Sequence, residues 1–240
     1  MAKHNIWMSV SDLMTGLMII FLFIAIAYMI EVEKNQNVLV DYVETKTKLH
    51  DKLVDEFSRD TANWQMTIGK DLSMKFNNPT VLFASGKTEL TQEFKDILDE
   101  FLPRYFDILL HDTLRTKIQE IRIEGHTDDS RMTAAGYDTD PYLGNLQLSQ
   151  NRSRNVVKYF RSMEVYQSYS DAEKKLIDYW LTANGLSYGR AVDDDGNFII
   201  ESGHGINRQR SRRVEFRIVT SGEEVLENFV KQNESKEKQE

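Results

Sequence analysis

Two residues stand where their chemistry conflicts with their surroundings. Asp12 is the one charged residue between Ile6 and Ile30, a run dominated by Leu, Ile, Met and Phe. A carboxylate at the centre of an isolated membrane span costs about 2.5 to 3.5 kcal/mol, so such groups face a protein interior or a water path. Thr15, three residues on, sets a hydroxyl one turn away on the same helical face. Together the two can hold an ion or pass a proton when water or a cation reaches them. The plainer alternative is an interfacial aspartate, because Asp12 lies only six residues into the run. The second residue is Arg152, four positions from both Leu148 and Val156 on a stripe that continues to Phe160 and Met163. A charge on an apolar stripe needs a partner, either a ligand or an acid that merely neutralises it.

Other motifs carry less chemistry. Ser85-Gly86-Lys87-Thr88 imitates the end of a phosphate-binding loop, but Val81 stands where that motif needs glycine. His126 lies near Asp128 and Asp129, yet no HExxH pattern or second histidine cluster supports zinc. The chain has no cysteine, which removes disulfides, thiolate nucleophiles and cysteine-bound metals. No hydrolytic triad is evident, so the expectation is a non-enzyme with no catalytic residues, no structural metal and no resident cofactor. Asp193-Asp194-Asp195-Gly196-Asn197 could bind calcium, though such loops are more often solvated turns. Arg208, Arg210, Arg212, Arg213 and Arg217 form the basic cluster; it could touch anionic glycan or lipid, but a final strand explains it more simply.

Composition narrows the class. In 240 residues there is room for one ordinary domain and little more. A mean hydropathy of -0.50 excludes a polytopic membrane protein. A net charge of -8 argues against a nucleic-acid binder that works by neutralising phosphate.

The elements that must position these residues follow from periodicity. Leu13 to Ile30 is eighteen residues without a charge, roughly 27 Å as a helix and close to a bilayer core. A cleavable signal peptide is the alternative, with Ala25-Ile26-Ala27 as a cleavage site, but the run is long and its basic leader is only Lys3. Lys3 on one side and Lys34, beside Glu31 and Glu33, on the other leave the orientation undecided by charge. Residues 31–63, free of glycine and proline, read as a helical linker; Val32, Leu39 and Leu53 at multiples of seven would allow a short two-helix coil, and a solvated linker is the alternative. Residues 64–220 form the domain. Trp64 to Ile68 and Leu72 to Phe76 predict a hairpin around Gly69-Lys70, and Val81 to Phe83 a short strand after the Asn77-Asn78-Pro79 turn. A helix capped by Thr91 buries Phe94, Ile97, Leu98, Phe101, Leu102, Tyr105, Ile108 and Leu109. A strand over Ile118 to Glu124, helices over Leu148 to Met163 and Asp171 to Leu181, and a strand over Arg213 to Thr220 complete it. The fold class is α/β: a single N-terminal transmembrane helix plus an α/β sandwich of one mixed sheet with helices on one face. Residues 221–240, rich in Glu and Lys, read as a charged mobile tail.

Two resemblances add function. Trp7-Met8-Ser9-Val10-Ser11-Asp12-Leu13-Met14-Thr15 and the apolar run after it resemble the ion-carrying helix of flagellar stator B subunits, with a spacer after the tryptophan one residue shorter. Gly125-His126-Thr127-Asp128 after a strand, and Asn145-Leu146-Gln147-Leu148-Ser149-Gln150-Asn151-Arg152 on a helix, resemble the OmpA-like peptidoglycan-binding domain; Phe83 to Leu90 and Arg212-Arg213-Val214-Glu215-Phe216 match that family's first and last strands. This resemblance implies that Asp128 and Arg152 hold the diaminopimelate of the wall's stem peptide, ammonium on the acid and carboxylate on the guanidinium. Thr127, Asn145 and Leu148 would line the same pocket.

Joined, the two resemblances imply a peptidoglycan-anchored B subunit of a proton- or sodium-driven inner-membrane rotary motor, with Asp12 and Thr15 as the ion-translocating pair and H⁺ or Na⁺ as the transported ion. The implied partners are a second copy, a multi-span A subunit forming a ring around the dimer, the inner membrane and peptidoglycan; the N-terminus would be cytoplasmic and the domain periplasmic. The short N-terminal tail, the long helical extension and the acidic insertion resemble the B subunits of the Zorya anti-phage defence system more than flagellar ones. Alternatives are a flagellar or gliding motor and a passive OmpA-like wall tether.

Overall fold

The computed structural model describes residues 2–133 and 135–223; the charged tail expected from 221 onward lies, beyond 223, outside the described residues. Helix α1 runs Ala2–Phe57. Its apolar part, Leu13 to Ile30, is exposed throughout, and the helix is long and apolar enough to cross a membrane. A hairpin of β1 (Met66–Ile68) and β2 (Ser73–Phe76) follows, then α2 (Pro79–Leu82), α3 (Gln92–Leu110), α4 (Asp112–Arg115) and β3 (Ile118–Gly125). The chain continues through α5 (Pro141–Ser162), α6 (Glu164–Ser168), α7 (Asp171–Trp180), β4 (Leu181–Gly185), α8 (Ile199–Ser202), α9 (Arg208–Ser211) and β5 (Val214–Thr220).

The strands form one mixed sheet in the order β1-β2-β5-β3-β4, antiparallel except for the parallel pair β3–β4. The two-residue period of a strand separates its faces. Ile121, Ile123, Phe216, Ile218, Met74 and Phe76 are buried in the core with the helices. Lys75, Glu215, Arg217, Arg122, Glu124, Glu120 and Thr182 occupy the alternate positions, with Lys75 opposite Glu215 and Arg122 opposite Thr182. On the core side Phe101 of α3 meets Phe76 and Phe216 at ring centroids 5.2 and 5.1 Å apart, and Phe106 stacks on Phe160 of α5. Thr91 accepts the Phe94 amide hydrogen bond at 3.1 Å, the cap that starts α3.

Several boundaries differ from the sequence reading. Pro79 sits in the first turn of α2, so residues 79–82 coil where a strand was expected, and only Phe83 pairs, with Leu90, as an isolated bridge. The loop 84–89 between them is not a first strand. Asp140 caps α5 eight residues before Leu148 by accepting from the Tyr142 and Leu143 amides, with Pro141 at the first helical position. Strand β4, Leu-Thr-Ala-Asn-Gly, lacks an alternating pattern and was not predicted; its pairing with β3 and the Gln150 side chain hold it.

The chain divides into two compact units, one containing residues 1–43 and one running Glu44–Ser221. The linker drawn over residues 31–63 therefore gives its second half to the domain. Leu49, Leu53 and Phe57 are fully buried in its core, so the heptad series cannot continue through Leu53. Arg104 of α3 fixes this end of α1: it donates to Glu56 Oε1 and the Glu56 carbonyl at 2.6 Å each and to Asp60 at 2.8 Å, and lies over the Phe57 ring. Leu53→Ala should lower unfolding stability by about 2 to 5 kcal/mol at any protein concentration, measured by denaturant titration. A midpoint that moved with concentration would assign Leu53 to a seam between chains instead.

Candidate functional site

Close packing of α5 on the sheet builds the site. Gly125 and Gly185 are paired in register at the ends of β3 and β4. A Cβ on Gly125 would stand 2.3 Å from the Ser149 carbonyl oxygen, and one on Gly185 2.4 Å from the Gln150 amide nitrogen. Only glycine fits either place, and their absence of side chains lets the middle of α5 rest on the strand ends. The loop leaving β3 is thereby set beside the turn of α5 that carries Asn145, Leu148 and Arg152. Between them opens a cavity of about 590 Å³, whose walls come from residues 79–87, 126–133, α5 and Arg212-Arg213.

All five residues expected to bind the stem peptide line this cavity. Arg152 is 8% exposed. Its Nε donates to the Lys87 carbonyl at 2.9 Å and Nη2 reaches the Ala84 carbonyl at 3.5 Å, while the guanidinium lies 4.7 Å from the Phe83 ring centroid. Burial lowers its pKa to about 10, opposed by Tyr137 and Asp128 nearby. Among the described residues no carboxylate stands within ion-pair distance of it. Asp128, also buried, accepts from the Ser130 amide at 2.9 Å and faces Arg212 Nε at 3.5 Å. The simple pairing of Asp128 with Arg152 is thus not the one formed. Asn145 bridges two main-chain segments, donating to Ser130 O at 2.8 Å and Pro141 O at 3.0 Å. The Thr127 hydroxyl is buried without a hydrogen-bond partner, and Leu148 supplies an apolar wall.

Sequence reasoning missed Phe83, Lys87, Arg131 and Arg212 in this wall. Lys87 sat in a segment weighed as a phosphate loop and as a first strand, and Arg212 in a cluster assigned to a strand. That cluster is mostly consumed locally: Arg208 forks onto Asp129, Arg210 meets the Asp194 carbonyl and Arg213 pairs with Glu215. In the acidic loop Asp193 is engaged, taking the Asp195 and Asn197 amides at 3.0 and 2.9 Å and facing His204 at 3.3 Å.

The other expected pair lies in α1. Asp12 is exposed, and the Thr15 hydroxyl donates back to the Ser11 carbonyl at 2.8 Å rather than to the carboxylate.

In the cavity wall His126 is buried, with Nε2 3.5 Å from both Glu124 Oε2 and Glu215 Oε1. Those acids already face Arg190 and Arg213 respectively. Burial, reinforced by Arg213, drives the imidazole pKa down to about 3 from 6.5. Below pH 6.5 the unfolded chain binds this proton and the folded one refuses it, so stability is intact above about 6.5 and falls as pH drops toward 3. In thermal melts from pH 7.5 to 4, His126→Gln should decline less steeply than the parent; parallel curves would refute this account.

The fold and site define a class. Residues 82–188 match the OmpA family. Over 231 residues the chain is 35% identical to the Zorya protein ZorB of Escherichia coli, covering 94% of this chain and 92% of that protein, and it belongs to the ZorB family. Similar solved structures include a MotB-like protein from Desulfovibrio vulgaris (22% identity, TM-score 0.47, covering 78% of this chain and 98% of that one). The cell wall anchor of the T6SS from Pseudomonas aeruginosa is another (20% identity, TM-score 0.45, covering 70% and 97%).

Proposed function

We propose that the chain is the ion-conducting, wall-anchored B subunit of an inner-membrane rotary motor of the Zorya anti-phage type. Like its family it is a stator-B-like anchor and not an enzyme. The observation that carries the anchoring half is the Asp128–Arg152 cavity. A buried guanidinium without an acid partner and a buried carboxylate, both lining one cavity, suit a ligand with its own carboxylate and ammonium. Peptidoglycan stem peptide supplies both, and Asn145, Thr127 and Leu148 offer polar and apolar contacts around them.

The motor half rests on α1, its exposed apolar stretch and Asp12 within it. In this reading α1 crosses the inner membrane once, with the N-terminus cytoplasmic and the domain periplasmic. Two copies sit inside a ring of multi-span A subunits. Protonation of Asp12, or its occupancy by Na⁺, weakens its hold on polar groups of the ring and release restores it, while the wall grip keeps the dimer from turning. Thr15, bonded to Ser11 in the isolated chain, joins the ion path when the ring is present.

Arg152→Ala and Asp128→Ala should each reduce co-sedimentation of the protein with purified sacculi at least roughly ten-fold, the scale of losing one partner of a buried charged contact. Retention of binding in both variants would remove the anchor. Asp12→Asn should leave membrane assembly and sacculus binding intact while abolishing ion flux and phage protection in cells. Protection at the parental level with Asp12→Asn would leave a passive tether as the function.

A further inference from the structure

The cavity holds more positive charge than one carboxylate can satisfy. Lys87, Arg131, Arg152, Arg212 and Arg213 line it, against the single acid Asp128. Arg213 is paired with Glu215 and Arg212 faces Asp128. Among the described residues Lys87, Arg131 and Arg152 therefore keep no acidic partner. Arg152 is buried in the wall, whereas Lys87 and Arg131 are exposed on two separate loops. Those loops face one cavity, and a Cβ placed on Gly86, in the left-handed region at φ +67°, would stand 3.9 Å from the Met132 side chain. Arg131 spends one nitrogen on the Thr139 carbonyl at 3.2 Å, leaving the rest of its fork available. Lys87 holds Arg152 through its backbone carbonyl alone, so its ammonium group is not part of that support.

We propose that Lys87 and Arg131 form a second anion subsite, so that the cavity selects a stem-peptide end carrying one ammonium and at least two free carboxylates. This rests on the peptidoglycan reading above and narrows it. Asp128 takes the ammonium, Arg152 one carboxylate and the Lys87/Arg131 pair another. A stem whose carboxyl groups are amidated offers the second subsite a neutral amide, which neither cation holds with comparable strength. The anchor thus attaches preferentially where the stems are unamidated.

The test uses the full-length protein in detergent and two soluble tripeptides, L-Ala-γ-D-Glu-meso-diaminopimelate with all carboxyls free and the same peptide amidated to leave one. Titration calorimetry should show the free acid binding about ten-fold more tightly, roughly three-fold for each cation engaged. The advantage should shrink with added salt. Lys87→Gln combined with Arg131→Gln should abolish the preference by weakening the free acid about ten-fold more than the amidated peptide, and Lys87→Arg should retain it. Melting temperatures would show that the variants fold. Equal binding of the two peptides to the parent protein, or equal weakening of both by the double substitution, would overturn the second subsite alone. Failure of the parent to bind either peptide would overturn the peptidoglycan reading beneath it.

Discussion

Contact between α5 and the ends of β3 and β4 governs the geometry of the whole ligand-facing side. With two paired glycines under one turn of the helix, backbone meets backbone and there is no side chain whose rotamer could loosen the fit. Gln150 reinforces it, donating to the Ala183 carbonyl and accepting from the Gly185 amide, so one side chain also covers part of the sheet's outer strand. Asp128 and Arg152 are 24 positions apart in sequence and belong to different elements. Their common cavity is a product of this seating.

Charge is buried at this end of the sheet as well. Glu124 and Glu215, at alternate positions of β3 and β5, and His126 and Arg213, in the cavity wall, are all less than a tenth exposed. Each acid faces an arginine, and the imidazole stays neutral among them. Such an arrangement contributes little net stability compared with an apolar filling, but it holds the loop from His126 to Ser130 through specific partners. Ser187 extends the scaffold. It is fully buried in a left-handed conformation at φ 51°, accepts from the Thr127 amide, and is itself tied to Ser149 and the Tyr142 carbonyl.

How far the sequence was legible depended on whether a residue's signal was local. Helix α3 was readable because its apolar spacing and its Thr91 cap agree, and β3 and β5 because β-branched and aromatic residues alternate there. The Gly-His-Thr-Asp turn and the helix carrying Arg152 could be placed from their motifs. Strand β4 could not, because Leu181 to Gly185 has no alternating apolar character and is held by its neighbours. Nor could the fate of Leu49, Leu53 and Phe57, whose helical spacing reads the same whether they face a second helix or a domain core. The partners of Arg152 were equally hidden: they are main-chain carbonyls of residues 84 and 87, and a backbone acceptor leaves no trace in residue type.

The cavity walls are drawn from segments spread over residues 79–213, so no short piece of chain contains a working grip. Occupancy consequently favours the intact fold of the entire domain over any partly opened form. A domain with its cavity filled is for that reason harder to unravel than an empty one.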